Sequence, residues 1–188
     1  MDNFFDQKEI WTIIGTLGGV ILGFSLTEIS KKIQENKQNK RIKNALFSEL
    51  EGNLYAIKQK KDIIKKVIIS LEKKTILPAY SVPLPTAVFY TNTALIITLL
   101  THIESDNVQH IYGRIRLIDS FLDNFEDEFL EALKDPNIED PFFIYTTRFR
   151  DILNQCDVTQ KLIKSFLQKN PIDIYYRKQK ILIEEDLM

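Results

Sequence analysis

"WTIIGTLGGVILGFSLTEISKK", residues Trp11 to Lys32, holds four of the chain's six glycines and then runs directly into lysines. From Ile10 to Thr27 eighteen consecutive residues carry no charge. At 1.5 Å per residue such a helix is roughly 27 Å long, against a hydrocarbon core of about 30 Å. Phe4 and Phe5 before the run and Ile29 and Ile33 after it close the gap, and Trp11 stands where an interfacial aromatic belongs. The stretch therefore reads as a transmembrane helix within residues 1–30. A buried helix of a soluble protein is the alternative, because the run is at the short end.

A cleaved secretion signal fits less well, since the first nine residues carry Asp2, Asp6 and Glu9 against Lys8 alone, and no A-x-A pattern follows. Lys31, Lys32, Lys37, Lys40, Arg41 and Lys43 come after the apolar run instead. Such an excess stays on the cytoplasmic side and faces anionic headgroups. The expected arrangement is a single-pass protein of the cell's inner membrane, amino terminus out and carboxyl-terminal domain in the cytoplasm.

Each glycine in a water-exposed helix costs about 1 kcal/mol relative to alanine. Gly15, Gly19 and Gly23 recur every four residues with Gly18 beside them, the pattern of a glycine zipper. Lipid gives apolar helices no hydrophobic reason to associate, so close backbone approach over small residues must supply the attraction. This face points to a homo-oligomer or to packing on another membrane protein, with Thr12 and Thr16 adding hydrogen bonds.

Charge is segregated along the rest of the chain. Residues 31–74 carry thirteen Lys/Arg against five acids, 75–100 carry none, and 101–140 carry three basic residues against eleven acidic. The basic block is either a solvated helix face, a lipid-facing arm or a surface that packs against the acidic block. With 44% hydrophobic and 27% charged residues the chain can bury a core. The single Cys156 lies among apolar helical positions and reads as a small buried hydrophobe.

Residues 38–74 form the basic helix: Ile42, Leu46, Leu50, Leu54, Ile57, Ile64, Ile68 and Leu71 keep one stripe at spacings of three, four or seven. Glu49 and Asn53 edge into it, either as a solvated flank or as polar specifiers of register against a partner helix. Pro78, Pro83 and Pro85 then forbid one continuous helix. Thr86 to Ile103 is either a second span or, with the prolines, an apolar hairpin over 75–103 that buries in the domain. Thr86 joins Glu49 and Asn53 as a candidate polar specifier. An acidic helix follows over 105–134, capped by Ser105 or Asp106, and then a helix over 141–170 with Asp140 as cap and Pro141 in its first position. The tail 171–188 reads equally as helix or strand.

Nothing in the sequence marks an enzyme. His102 and His110 are eight apart without a cysteine to join them, so ordinary surface or cap histidines are favoured over a metal site. Phosphate-binding and nucleophile-elbow motifs do not occur. Asp119, Asp123 and Glu126 or Asp127 share one face, with Phe121, Phe125 and Phe129 on the other, as on any amphipathic helix. No catalytic, metal or cofactor residue is assigned and no cofactor is expected. Nucleic acid is not expected either, because the lysines adjoin the apolar run without interleaved aromatics.

"RIKNALFSELEGNLYAIKQKKDII", "VPLPTAVFYTNTALIITL" and "VQHIYGRIRLID" together resemble small single-pass membrane-anchored helical proteins of bacteria and archaea, a group with no established activity. Leu46, Glu49, Leu50, Asn53 and Leu54 carry the first element of that resemblance. Pro85, Thr86 and Phe89 carry the second, Tyr112 the third, over about residues 10 to 120. The resemblance implies an anchor and a prokaryotic source. The expected molecule is all-α, an N-terminal transmembrane helix followed by a cytoplasmic antiparallel bundle of about four helices over 31–188. Its expected function is non-enzymatic, membrane-tethered interaction or assembly. The alternative is an oligomeric membrane effector, as in antiviral defence, that perturbs the bilayer on sensing a signal.

Overall fold

The computed structural model describes residues 7–79 and 81–169, with side chains from residue 15 onward. Four helices account for most of it: α1 (Gln7–Glu72), α2 (Ala87–Leu99), α3 (His102–Lys134) and α4 (Pro141–Leu167). No strand occurs among the described residues. The apolar run and the basic helix, read separately from the sequence, are one element. Neither proline nor glycine occurs between Gly23 and Gly52 to interrupt it.

The chain divides into two compact units, Met1–Ile42 and Lys43–Met188. Burial begins at Leu46, within the second unit. In the first unit the described part is α1 alone, with nearly every side chain from residue 15 to 41 exposed.

The second unit is built from four alternating legs. Along α1 and α4, Phe47 lies 5.5 Å from Phe166 and Glu72 lies 2.7 Å from Arg150, so the two helices run antiparallel. Along α3 and α4, Phe121 meets Phe149 at 4.9 Å and Phe129 meets Phe142 at 5.2 Å, again antiparallel. The return leg is the extended segment 75–86 together with α2. It descends α3 from Leu84, at Asp119, to Phe89, stacked on Tyr112 at 4.1 Å. The α1 stripe forms the core as its spacing predicts, with Leu46, Leu50, Ile57 and Ile64 fully buried, as are Ile111, Ile115 and Ile118 of α3. An aromatic cluster, Phe125, Phe129, Tyr145 and Phe149, fills the distal half through edge-on and tilted contacts.

Ends and caps differ in places from the sequence reading. α3 begins at His102, capped by Thr101 rather than by Ser105 or Asp106. The Thr101 hydroxyl accepts from the Glu104 N–H at 3.3 Å and the Glu104 carboxylate accepts from the Thr101 N–H at 2.9 Å. This T-x-x-E box satisfies two orphan donors at once, which neither later residue does. Asp140 caps α4 by accepting from Phe143 N–H at 3.1 Å, with Pro141 opening the helix. α4 stops at Leu167, short of the expected Asn170. The segment 86–103 yields one helix of 13 residues, α2, kinked at Asn92. At about 20 Å it is too short to span a bilayer. The hairpin expected within 75–103 is therefore an extended proline-rich segment followed by this single helix, of which only Phe89 and Ile96 are buried. The tail 171–188 and the side chains of Trp11 and Thr12 lie outside the described residues.

α1 ends in a left-handed cap. Lys74 takes φ 55°, its N–H bonding Leu71 O at 2.9 Å while Thr75 N–H bonds Ser70 O at 3.0 Å. These are the two bonds of a Schellman motif with lysine where glycine is usual.

Candidate functional site

Two places in the chain concentrate unusual chemistry, one in each unit. In the first unit Leu17, Val20, Ile21, Leu22, Phe24, Leu26 and Ile29 are between 54% and 72% exposed. At 100° per residue these side chains cover about two-thirds of the helix circumference. The remaining arc belongs to Gly19 and Gly23 with Thr16 and Thr27, and Gly15 lies just outside it, between Leu22 and Leu26. A Cβ added at any of the three glycines meets nothing within 4 Å. The hydroxyls in this stretch turn inward: Ser25 Oγ donates to Ile21 O and Thr27 Oγ1 to Gly23 O, both at 2.8 Å. Polar side chains are thereby satisfied by their own helix, as a medium without water requires. Lys31, Lys32, Lys37, Lys40 and Arg41 are exposed, Lys31 reaching Glu28 at 3.5 Å, and Lys43 is half-buried. Among the described residues no helix is long and apolar enough to cross a membrane. The described side chains cover only Gly15 to Thr27 of the uncharged run, about 20 Å of helix.

In the second unit Glu49, Asn53 and Lys60 of α1 form a buried polar line facing the return leg. Glu49 accepts from the Val88 N–H at 2.7 Å, from the Phe89 N–H at 3.2 Å and from the Tyr112 hydroxyl. Thr86 holds the N-cap position of α2 but makes no side-chain cap bond. The carboxylate of another helix therefore takes the orphan donors and sits at the positive end of the α2 dipole. Burial, and the Glu49 carboxylate beside it, push the Tyr112 phenol well above its ordinary range, so it stays a donor. Asn53, fully buried, donates to Pro85 O at 2.8 Å. The half-buried Thr86 side chain lines an open recess of about 440 Å³ beside Tyr90, Arg116 and Ser120.

Lys60 and Asp119 complete the line, and neither stood out in the sequence. The Lys60 ammonium donates to Ser81 Oγ at 2.5 Å and lies 2.9 Å from Asp119 Oδ1, an ion pair off the direction of a hydrogen bond. The other carboxylate oxygen of Asp119 accepts from Leu84 N–H at 2.8 Å. Asp119 thus leaves the solvated face on which its spacing placed it with Asp123. The missed signal was the seven-residue step from Ile57 to Ile64, whose vacant slot is Lys60. Together Glu49, Asn53 and Asp119 hold the return leg by its backbone, which prolines leave short of partners, and Lys60 holds it by the Ser81 hydroxyl.

Among the described residues no group of His, Cys, Asp and Glu has the arrangement of a metal site. His102 Nδ1 lies 2.9 Å from Asp106. Cys156 is fully buried, and burial pushes its thiol up to about 12, which leaves it protonated and unreactive as a nucleophile. Compared with protein-family models, curated proteins and solved structures, the chain matches none.

Proposed function

We propose that the chain is a membrane-tethered, non-enzymatic interaction or assembly protein. The apolar run from Ile10 to Thr27 is its anchor and residues 43–188 its cytoplasmic interaction domain. The observation that carries the reading is the exposure of large apolar side chains around most of α1 between Leu17 and Ile29. In water each such side chain forgoes about 1.5–3 kcal/mol of burial. A helix whose large apolar side chains cover about two-thirds of its circumference is suited to lipid, and the inward-turned Ser25 and Thr27 hydroxyls fit the same medium. The lysines that follow suit an anionic inner surface, each contributing about 1 kcal/mol near it. The open glycine arc suits a second copy of the helix or another membrane helix. The resemblance to small membrane-anchored helical proteins points the same way.

The test is fractionation of the full chain. It should stay with membranes through alkaline carbonate washing, and Val20→Lys with Leu22→Lys should release it while the bundle keeps its helical spectrum. Recovery of the unaltered chain as a stable monomer without detergent would overturn the reading. The oligomeric effector is separated by overproduction: a tether leaves membrane potential intact, whereas an effector depolarises cells and loses that effect with Gly19→Leu.

A further inference from the structure

Between α3 and α4 lies a second open recess of about 440 Å³, lined by Gln109, His110, Gly113, Arg114 and Leu117 of α3 and Gln155 of α4. None of the six is acidic, on the part of the chain that is richest in acids. Arg114 is half-buried and makes no ion pair among the described residues. Its Nη1 donates to the neutral Oε1 of Gln155, and its enclosed Nε–H has no acceptor. Arg148 and Arg150 on the neighbouring helix differ, each meeting a carboxylate at 3.0 and 2.7 Å. A partly desolvated cation without counter-charge is unfavourable, and a guanidinium fork matches the oxygens of carboxylate and phosphate.

Gly113 is a second, separate anomaly. It weakens the middle of a long helix, yet it has no positive φ and no close neighbour, since a Cβ there would meet nothing within 4 Å. Its effect is to leave the recess open beside Arg114.

We propose that this recess binds a small soluble anion carrying a phosphate or carboxylate group. The anion's oxygens accept from the Arg114 guanidinium, the His110 ring and the carboxamides of Gln109 and Gln155 surround it, and Leu117 supplies an apolar wall. The site lies wholly within the second unit, so it stands whether or not the first unit is an anchor.

The test uses the full isotope-labelled chain in a neutral detergent, titrated with inorganic phosphate and separately with succinate at ionic strength held constant with chloride. The Arg114 Nε–H and His110 ring signals should shift saturably with at least one of the two. Saturation by phosphate alone, or by succinate alone, assigns the ligand class. Gly113→Leu extends a side chain into open space and should weaken binding at least tenfold without lowering the unfolding midpoint. Gln155→Glu gives Arg114 an internal carboxylate and should abolish binding. Arg116→Gln, in the other recess, should change neither. Shifts that track ionic strength alone, no saturation with either anion, or unaltered binding in Gly113→Leu would each overturn the proposal.

Discussion

Lys60 of α1 and Asp119 of α3 stand 2.9 Å apart with side chains 3% and 15% exposed, and between them they hold Ser81 and Leu84 of the proline-rich leg. Removing one member of a buried pair leaves an uncompensated charge, at a cost of about 3–5 kcal/mol. Lys60→Met should therefore lower the unfolding free energy of the full chain in detergent by that amount. Adding Asp119→Asn, which keeps an acceptor for Leu84 N–H but carries no charge, should restore part of the loss. A single-variant loss below about 1 kcal/mol would mean the pair behaves as an exposed one.

Glu49 replaces a cap that α2 lacks within its own sequence, accepting from two N–H groups and a phenol. In Glu49→Gln one oxygen becomes a donor facing a donor, which costs about 1–3 kcal/mol. The effect should be local: amide exchange at Val88 and Phe89 should quicken several-fold while α4 amides keep their rates. Equal acceleration across α2, α3 and α4 would show that Glu49 supports the whole bundle rather than the α2 start.

How far the sequence disclosed this arrangement depended on whether the signal was local. The α1 stripe, the Asp140–Pro141 start of α4 and the wide apolar face of α3 follow from helical period and capping chemistry within a few residues. Glu49 and Asn53 were visible as polar intrusions, but their partners, Val88 N–H and Pro85 O, are 39 and 32 residues away. No periodicity carries that information. The Thr101 box was legible and lost to a later serine, since the stretch before it reads as continuous apolar chain. Arg114 and Gln155 gave no signal at all: one is a charge on an amphipathic helix, the other an ordinary polar residue. Only the antiparallel register of α3 and α4 sets them side by side.

Lys74 holds the left-handed cap of α1 at φ 55°, a conformation that costs an L side chain about 1–2 kcal/mol. Glycine removes that strain but gains backbone freedom in the unfolded chain, worth up to about 1 kcal/mol the other way. Lys74→Gly should therefore raise stability by about 0.5–1 kcal/mol in denaturant titration, whereas Lys74→Ala should not. A gain of equal size in both would point to relief of lysine charge repulsion and away from the cap.

Cys156 gives a pH dependence of defined sign. Burial raises its thiol from 9.0 to about 12, the nearby Lys61 ammonium opposing only in part. Below pH 9 folded and unfolded chains both hold the proton, and the stabilisation is fully present. Between pH 9 and about 12 the unfolded chain releases the proton while the folded one keeps it, so stability falls as pH rises, by at most about 1.4 kcal/mol per unit. Tyr112 and Tyr145 are also raised by burial and steepen the fall above pH 10. Unfolding titrations from pH 8 to 11 should show this decline, with a shallower slope from pH 9 in Cys156→Ala. Alkylation at pH 8 should be blocked in the folded chain and rapid in denaturant. Fast labelling of the native thiol would mean that α4 opens at Cys156, or that the thiol ionises more readily than its burial allows.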